Sequence, residues 1–203
     1  MKGPTGNTTQ KRLRILRDDE IDALYGRPRF TPEEREEYFA LSSAESAALE
    51  QFHSIKSRIY AILQLGYFKA RQMFFVLDPG EIAEDAKYVQ ERYFPRAPCP
   101  DLAITKVTRL RQQRVILTLC NYRTCNAKER RQLATKARQA ARVCSKPVYV
   151  FRELRHHLAE HRLVSPGYSF LQETVGQALL AEQSRLTALV RQHLTPAQSA
   201  ALQ

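Results

Sequence analysis

Polar residues that cap helix N-termini, each followed three positions on by Glu or Gln, punctuate this chain from Thr31 to Thr195. They constrain its fold more than any other feature, because each pair marks the first turn of a helix. Thr31 with Glu34 adds proline at the first helical position, Pro32. Ser42 with Glu45 opens a helix expected to reach about Leu65, and Asp78 with Glu81 one expected to reach about Arg92. Asn126 with Glu129 opens one to about Val143, and Ser169 with Gln172 one to about Arg191. Thr195 with Gln198 starts a last helix barely two turns before Gln203. So short a helix is marginal alone, which implies that it continues in a longer protein.

Apolar spacing between the caps is helical nearly throughout, so the expected class is all-α. Only residues 74–77 (FFVL) and 147–151 (PVYVF) look β-like. The second also reads as a helix start, with Pro147 leading and Phe151, Leu154 and Leu158 on one face, and is taken as helix. Residues 95–100 hold three prolines and cannot continue a helix. The expected organisation is two helix-turn-helix modules joined by this Pro-rich linker. It comprises a basic tail over 1–17, a first module over 18–94, a linker over 95–100, a second module over 101–192 and the start of a further helix over 193–203. Residues 62–65 (ILQL) and 116–119 (ILTL), each followed by a tyrosine and a basic residue, suggest that the two modules are related.

Charge narrows the function. The 203 residues carry 32 Lys and Arg against 21 Asp and Glu, a net charge of +11. Residues 1–100 hold 15 basic and 15 acidic side chains, and residues 101–203 hold 17 and 6, so the excess lies in the second half. A foldable segment this basic implies a polyanionic partner, most simply double-stranded DNA. No apolar run reaches the ~18 residues of a membrane-spanning helix, and residues 1–17 lack the apolar core of a secretory signal. Four cysteines without a C-x-x-C pair fit reduced thiols, so the expected location is cytoplasmic, associated with a bacterial nucleoid.

The strongest constellation spans residues 105–143. A helix to about Leu119, a polar turn over 120–125 with Asn121 in the left-handed conformation, and a second helix from the Asn126 cap make a helix-turn-helix pattern. On the second helix Leu133, Ala137, Ala140 and Cys144 share one face, and Arg131, Arg138 and Arg142 lie opposite. Arg131 and Leu133 are about 200° apart at 3.6 residues per turn. An arginine-rich face backed by small apolar residues suits a recognition helix, since arginine takes phosphate or a guanine edge bidentately. Arg109, Arg111, Arg114, Arg123 and Lys128 extend the basic surface.

A second candidate is the turn at Pro166-Gly167 with the helix after it, whose first turn presents Ser169, Gln172 and Glu173. Its core face is expected to be Leu171, Val175, Ala178, Leu179, Leu186 and Leu189. In the first half Lys69, Arg71 and Gln72 follow Gly66, expected as a helix C-cap, and can reach phosphates. The basic tail can lie in a minor groove as an arm. His157 and His161 stand i, i+4 without a further ligand at metal-binding spacing, so no metal is expected. No phosphate-binding glycine loop or nucleophile elbow occurs, and no cofactor is expected.

Residues 41–45 (LSSAE), 55–70 (IKSRIYAILQLGYFKA), 90–95 (QERYFP), 147–154 (PVYVFREL) and 166–179 (PGYSFLQETVGQAL) together resemble the N-terminal region of transposases of the Tn-three family, which move class II replicative transposons. The resemblance runs from about Asp18 to Gln203. It implies an all-helical, bipartite DNA-binding region that recognises the terminal inverted repeats. It also implies catalytic acidic residues beyond residue 203, so that this fragment is non-catalytic, and the rest of the transposase chain as a partner. Two other classes stay open. One is a helical protein–protein assembly module, with a possible homodimer. The other is a recombinase-type enzyme with Tyr122 or Tyr149 as nucleophile, which no Arg-His-x-x-Arg grouping supports.

Overall fold

The computed structural model describes residues 13–98 and 100–193, and among them all regular structure is helical. The helices are α1 (Asp18–Tyr25), α2 (Pro32–Tyr38), α3 (Ser43–Leu49), α4 (Ile55–Arg71), α5 (Ala83–Tyr93), α6 (Lys106–Cys120), α7 (Ala127–Val143), α8 (Pro147–Glu160) and α9 (Tyr168–His193). The all-α class therefore holds. Residues 74–77 form no strand, and residues 147–151 begin α8 as expected.

The caps act largely as the residue types dictate. Thr31 and Ser42 each form a complete capping box, with Glu34 and Glu45 returning a bond to the cap N–H at 2.9 and 2.8 Å. Asn126 Oδ1 accepts from the N–H groups of Lys128 and Glu129. Asn121 ends α6 in the left-handed conformation, at φ 55°. Four expectations need correction. Ser169 is not an N-cap, because α9 already starts at Tyr168. The helix opened by Ser42 stops at Leu49, and α4 restarts behind a new cap, Ser54, with Phe52 buried between them. Asp78 caps a turn rather than a helix. Its Oδ1 accepts from Gly80 N at 3.0 Å and Glu81 N at 3.3 Å, and α5 starts only at Ala83. Gly66 is not a C-cap: α4 runs through it to Arg71 and ends at Gln72, which takes the left-handed conformation at φ 53°. Gly66 is instead a close-approach site, where a Cβ would collide with the Phe39 ring.

The chain forms two compact units, and neither follows the division expected at residues 95–100. One unit, here the neutral unit, comprises Asp18–Cys125 and Leu158–Pro166. Its core is aromatic: Phe30 stacks on Tyr38 and Tyr67 at centroid distances of 5.1 and 5.5 Å, and Phe39 meets Phe30 edge-on at 5.3 Å. Such pairs add about 0.5–1.5 kcal/mol each beyond area burial. Leu102 and Ile116, from beyond the prolines, lie in this same core, and α6 packs on α3 and α4. Buried Gln112 of α6 donates to the Ser57 carbonyl and hydroxyl of α4, both at 2.9 Å. The two similar tetrapeptides therefore share one core instead of heading two modules, and Tyr122 packs edge-on against Phe68 at 5.3 Å. Residues 158–166 belong to this unit because Arg123 N–H donates to the Arg162 carbonyl and Val164 N–H to the Arg123 carbonyl, both at 2.9 Å.

The other unit, here the basic unit, comprises the described parts of Met1–Arg17, Asn126–His157 and Gly167–Gln203. Helix α7 packs along α9. Leu133 and Ala137 of α7, Leu171 and Val175 of α9, and Val150 and Leu154 of α8 are all fully buried. Ile15 and Leu16, from the end of the basic tail, are buried in the same unit. Their N–H groups face the Tyr168 hydroxyl at 3.4 and 3.2 Å, and Gln172 Nε2 donates to the Leu13 carbonyl at 2.9 Å. The start of the tail and the helix expected from Thr195 lie outside the described residues.

Candidate nucleic-acid interface

The thirteen basic and polar residues singled out from the sequence are divided between the two units. Seven lie in the neutral unit: Lys69, Arg71, Gln72, Arg109, Arg111, Arg114 and Arg123. Six lie in the basic unit: Lys128, Arg131, Arg138, Arg142, Ser169 and Gln172.

Several in the neutral unit serve the fold itself. Lys69 Nζ lies 2.9 Å from Glu45 Oε1 and donates to the Ala40 carbonyl at 2.8 Å. Arg71 is half-buried and donates to the Ala70 carbonyl. Gln72 Nε2 donates to the Lys69 carbonyl at 2.8 Å, and the Gln72 carbonyl accepts from Ser165 N–H. Arg111 lies over the Phe52 ring at 5.9 Å. Arg123 is fixed through its backbone to residues 162–164. Arg114 is exposed on α6 and Arg109 half-exposed.

The basic unit is different. Its described residues carry 13 Lys and Arg against 4 Asp and Glu, a net +9, whereas the neutral unit carries 16 against 17, a net −1. The charge excess thus follows the fold more sharply than it follows the chain halves. Most of it lies on α7. Leu133, Ala137 and Ala140 are 0, 0 and 5% exposed, while Lys128, Arg131, Arg138 and Arg142 are exposed. Arg131 Nε and Arg138 Nε donate back to the Ala127 and Ala134 carbonyls at 3.2 and 3.3 Å. That lays each stem along the helix, and among the described residues neither guanidinium has a carboxylate partner. Arg142 Nε lies 3.9 Å from Glu182 of α9, whose carboxyl the stronger pairing with Arg185 at 2.6 Å pulls below its ordinary range. Arg130, which the sequence did not single out, stacks on Phe170 at 5.0 Å and so ties α7 to α9.

The chain matches the model of DUF4158, a domain of unknown function, over residues 15–178. It belongs to the DUF4158 family. No curated protein matches it. The DUF4158 match takes in both units, from the buried Ile15 to Ala178 on the core face of α9.

The second sequence candidate fares differently within the basic unit of this DUF4158 protein. Ser169 is exposed at the start of α9, but the Gln172 amide is engaged by Leu13. The core face of α9 ends sooner than expected: Leu171, Val175 and Ala178 are buried, whereas Leu186 and Leu189 are 48 and 38% exposed. Sequence reasoning also passed over a shallow groove of about 490 Å³ along α7. Gln132, Thr135 and Gln139, headed by Lys128, line it between Arg131 on one side and Lys136 and His157 on the other. Lys136 is held 3.3 Å from Glu153 of α8. The available signal was the spacing 132, 135, 139, one helical face of uncharged hydrogen-bonding side chains set between cationic ones. Among the described residues no helix is long and apolar enough to cross a membrane.

Proposed function

We propose that this chain binds double-stranded DNA sequence-specifically, as the N-terminal, non-catalytic part of a transposase that recognises terminal inverted repeats. The exposed cationic face of α7 carries the proposal: Lys128, Arg131 and Arg138 project from a unit of net +9 while the opposite face of the same helix is fully buried. A polyanion reaching that face meets arginine donors, which displace the counterions condensed on its phosphates. The resemblance to Tn-three transposases supplies the identity of the DNA, the inverted repeat. The chain performs no cleavage of its own in this reading and needs no cofactor.

Footprinting the 203-residue chain on the inverted repeat of its parent element tests the proposal. Protection that weakens steeply between about 50 and 200 mM salt is expected. Equal retention of the repeat and of unrelated duplex, with no dependence on salt, would overturn it.

A second reading, a helical assembly module, rests on α9. Leu186, Leu189 and Val190 are 48, 38 and 51% exposed along its last turns. Sedimentation of the chain without DNA separates the readings: a concentration-dependent dimer abolished by Leu186→Glu favours assembly.

A further inference from the structure

The outward side of α7 is not uniformly cationic. At 100° per residue, Gln132, Thr135 and Gln139 fall within about 60° of one another, and the exposed Lys128 heads the same row one turn before Gln132. Arg131, Arg138 and Arg142 form a parallel row roughly 70° to one side, and Lys136 lies about as far to the other. His157 of α8 lines the groove on the Lys136 side. Gln132 and Gln139 are exposed, and among the described residues neither amide has a hydrogen-bond partner. The Thr135 hydroxyl donates to the Arg131 carbonyl at 3.2 Å, which leaves its methyl as the group it offers outward.

We infer that this central row, and not the arginine row, reads the bases of the duplex. The inference rests on the DNA-binding reading above and names which residues give it specificity. The major groove is about 12 Å wide and admits one α-helix, so the row facing its floor meets base edges while the flanking rows meet phosphates of the two strands. An arginine row on one flank, Lys136 shared with Glu153 on the other, and neutral donor–acceptor side chains between them behind Lys128 at the head of the row match that division of labour. Glutamine pairs bidentately with the N6 and N7 groups of adenine, and the threonine methyl packs on the thymine methyl. Seven residues of helix rise about 10 Å, close to three base-pair steps at 3.4 Å. Helix α7 is thus suited to a site of three to four base pairs in which A·T pairs lie opposite Gln132 and Gln139.

The test selects a preferred duplex from a randomised library with the whole 203-residue chain. Affinity for that duplex, for each of its single base-pair variants and for random-sequence duplex is then measured with wild type, Gln132→Ala, Gln139→Ala and Arg131→Ala. Wild type should discriminate against a changed A·T pair by roughly 5- to 150-fold. Each glutamine variant should lose that discrimination at one position, with unchanged binding to random duplex and an unchanged salt slope. Arg131→Ala should keep the discrimination and lower the salt slope by about 0.9. Discrimination intact in both glutamine variants, or a preferred guanine whose readout vanishes in Arg131→Ala, overturns the assignment while DNA binding stands. Failure of wild type to retain any duplex at 50 mM salt overturns the DNA-binding reading and this inference with it.

Discussion

Lys69 of α4 and Glu45 of α3 form an ion pair at 2.9 Å, and the same ammonium donates to the Ala40 carbonyl at 2.8 Å. Glu45 in turn closes the capping box on Ser42. One lysine thus ties the start of α3 to the last turn of α4, although its position in the sequence marks it as a phosphate contact. Half-buried pairs of this kind lie between exposed bridges, worth a few tenths of a kcal/mol, and buried ones whose breakage costs several. Lys69→Met should therefore lower unfolding stability by about 1 kcal/mol. It should leave the salt slope of DNA affinity at the wild-type value, measured as log K against log salt. A slope reduced by about 0.9 would return Lys69 to the DNA surface.

The pH dependence of stability follows from the same pair. Burial raises the Glu45 carboxyl, but the Ser42 N–H and the Lys69 ammonium outweigh it and hold it below its ordinary value of 4.5. A carboxyl depressed in the folded state contributes stability that is present above the unfolded pKa and lost as pH falls through the folded one. The contribution should be complete at neutral pH and decline only below about pH 4.5. Glu45→Gln keeps an acceptor for the Ser42 N–H and removes the charge. Urea midpoints from pH 7 to pH 3 should fall less steeply for the variant than for wild type, and parallel curves would show that Glu45 does not carry the effect.

Gly66 lies mid-helix in α4, where its backbone meets the ring of Phe39. In an open helix Gly→Ala is stabilising by up to about 1 kcal/mol. Here the added methyl overlaps a fully buried aromatic ring, and overpacking a tight core costs typically 1–3 kcal/mol. Gly66→Ala should lower the denaturant midpoint, and Gly66→Ala with Phe39→Leu should recover part of the loss. An alanine variant more stable than wild type would show that the helix and ring do not approach this closely.

What the sequence reveals here is mainly local. Thr31, Ser42 and Asn126 cap helices because the cap is a contact of a side chain with its own next turn, and Asn121 ends α6 because asparagine tolerates the left-handed backbone, which is equally local. The α7 face of Leu133, Ala137 and Ala140 is legible because 3.6-residue periodicity states which side is apolar. The role of Gly66 is not legible, since it is set by Phe39, 27 positions away in the chain. The prolines at 95–100 mark a real end of helix, yet Leu102 and Ile116 beyond them complete the core of the first half, so a break in helix is not a break between units. For the same reason Lys69 and Gln172 look available as polar side chains while Glu45 and Leu13 engage them through the fold.

The arginine row of α7 gives the sharpest test of the nucleic-acid surface. Arg131, Arg138 and Arg142 are exposed and lie opposite the buried Leu133, Ala137 and Ala140. Replacing all three with Ala should change stability little, because exposed substitutions usually shift it by about 0.5 kcal/mol or less. The contact of Arg142 with Glu182, long at 3.9 Å and secondary to the Arg185 pairing, adds little to that cost. Circular dichroism and the melting temperature should therefore match wild type. Affinity for both the inverted repeat and random duplex should fall together, and the slope of log K against log salt should drop by about 0.9 per contact removed. The single variants separate phosphate contact from base readout: a phosphate contact weakens all duplexes alike, whereas a guanine contact costs roughly 1–3 kcal/mol at one position of one sequence. The flanking position of the row beside Gln132, Thr135 and Gln139 sets the expectation at uniform loss. A triple variant that binds both duplexes like wild type, with the same slope, would remove the arginine row of α7 from the interface and shift attention to the exposed arginines of α6, Arg111 and Arg114.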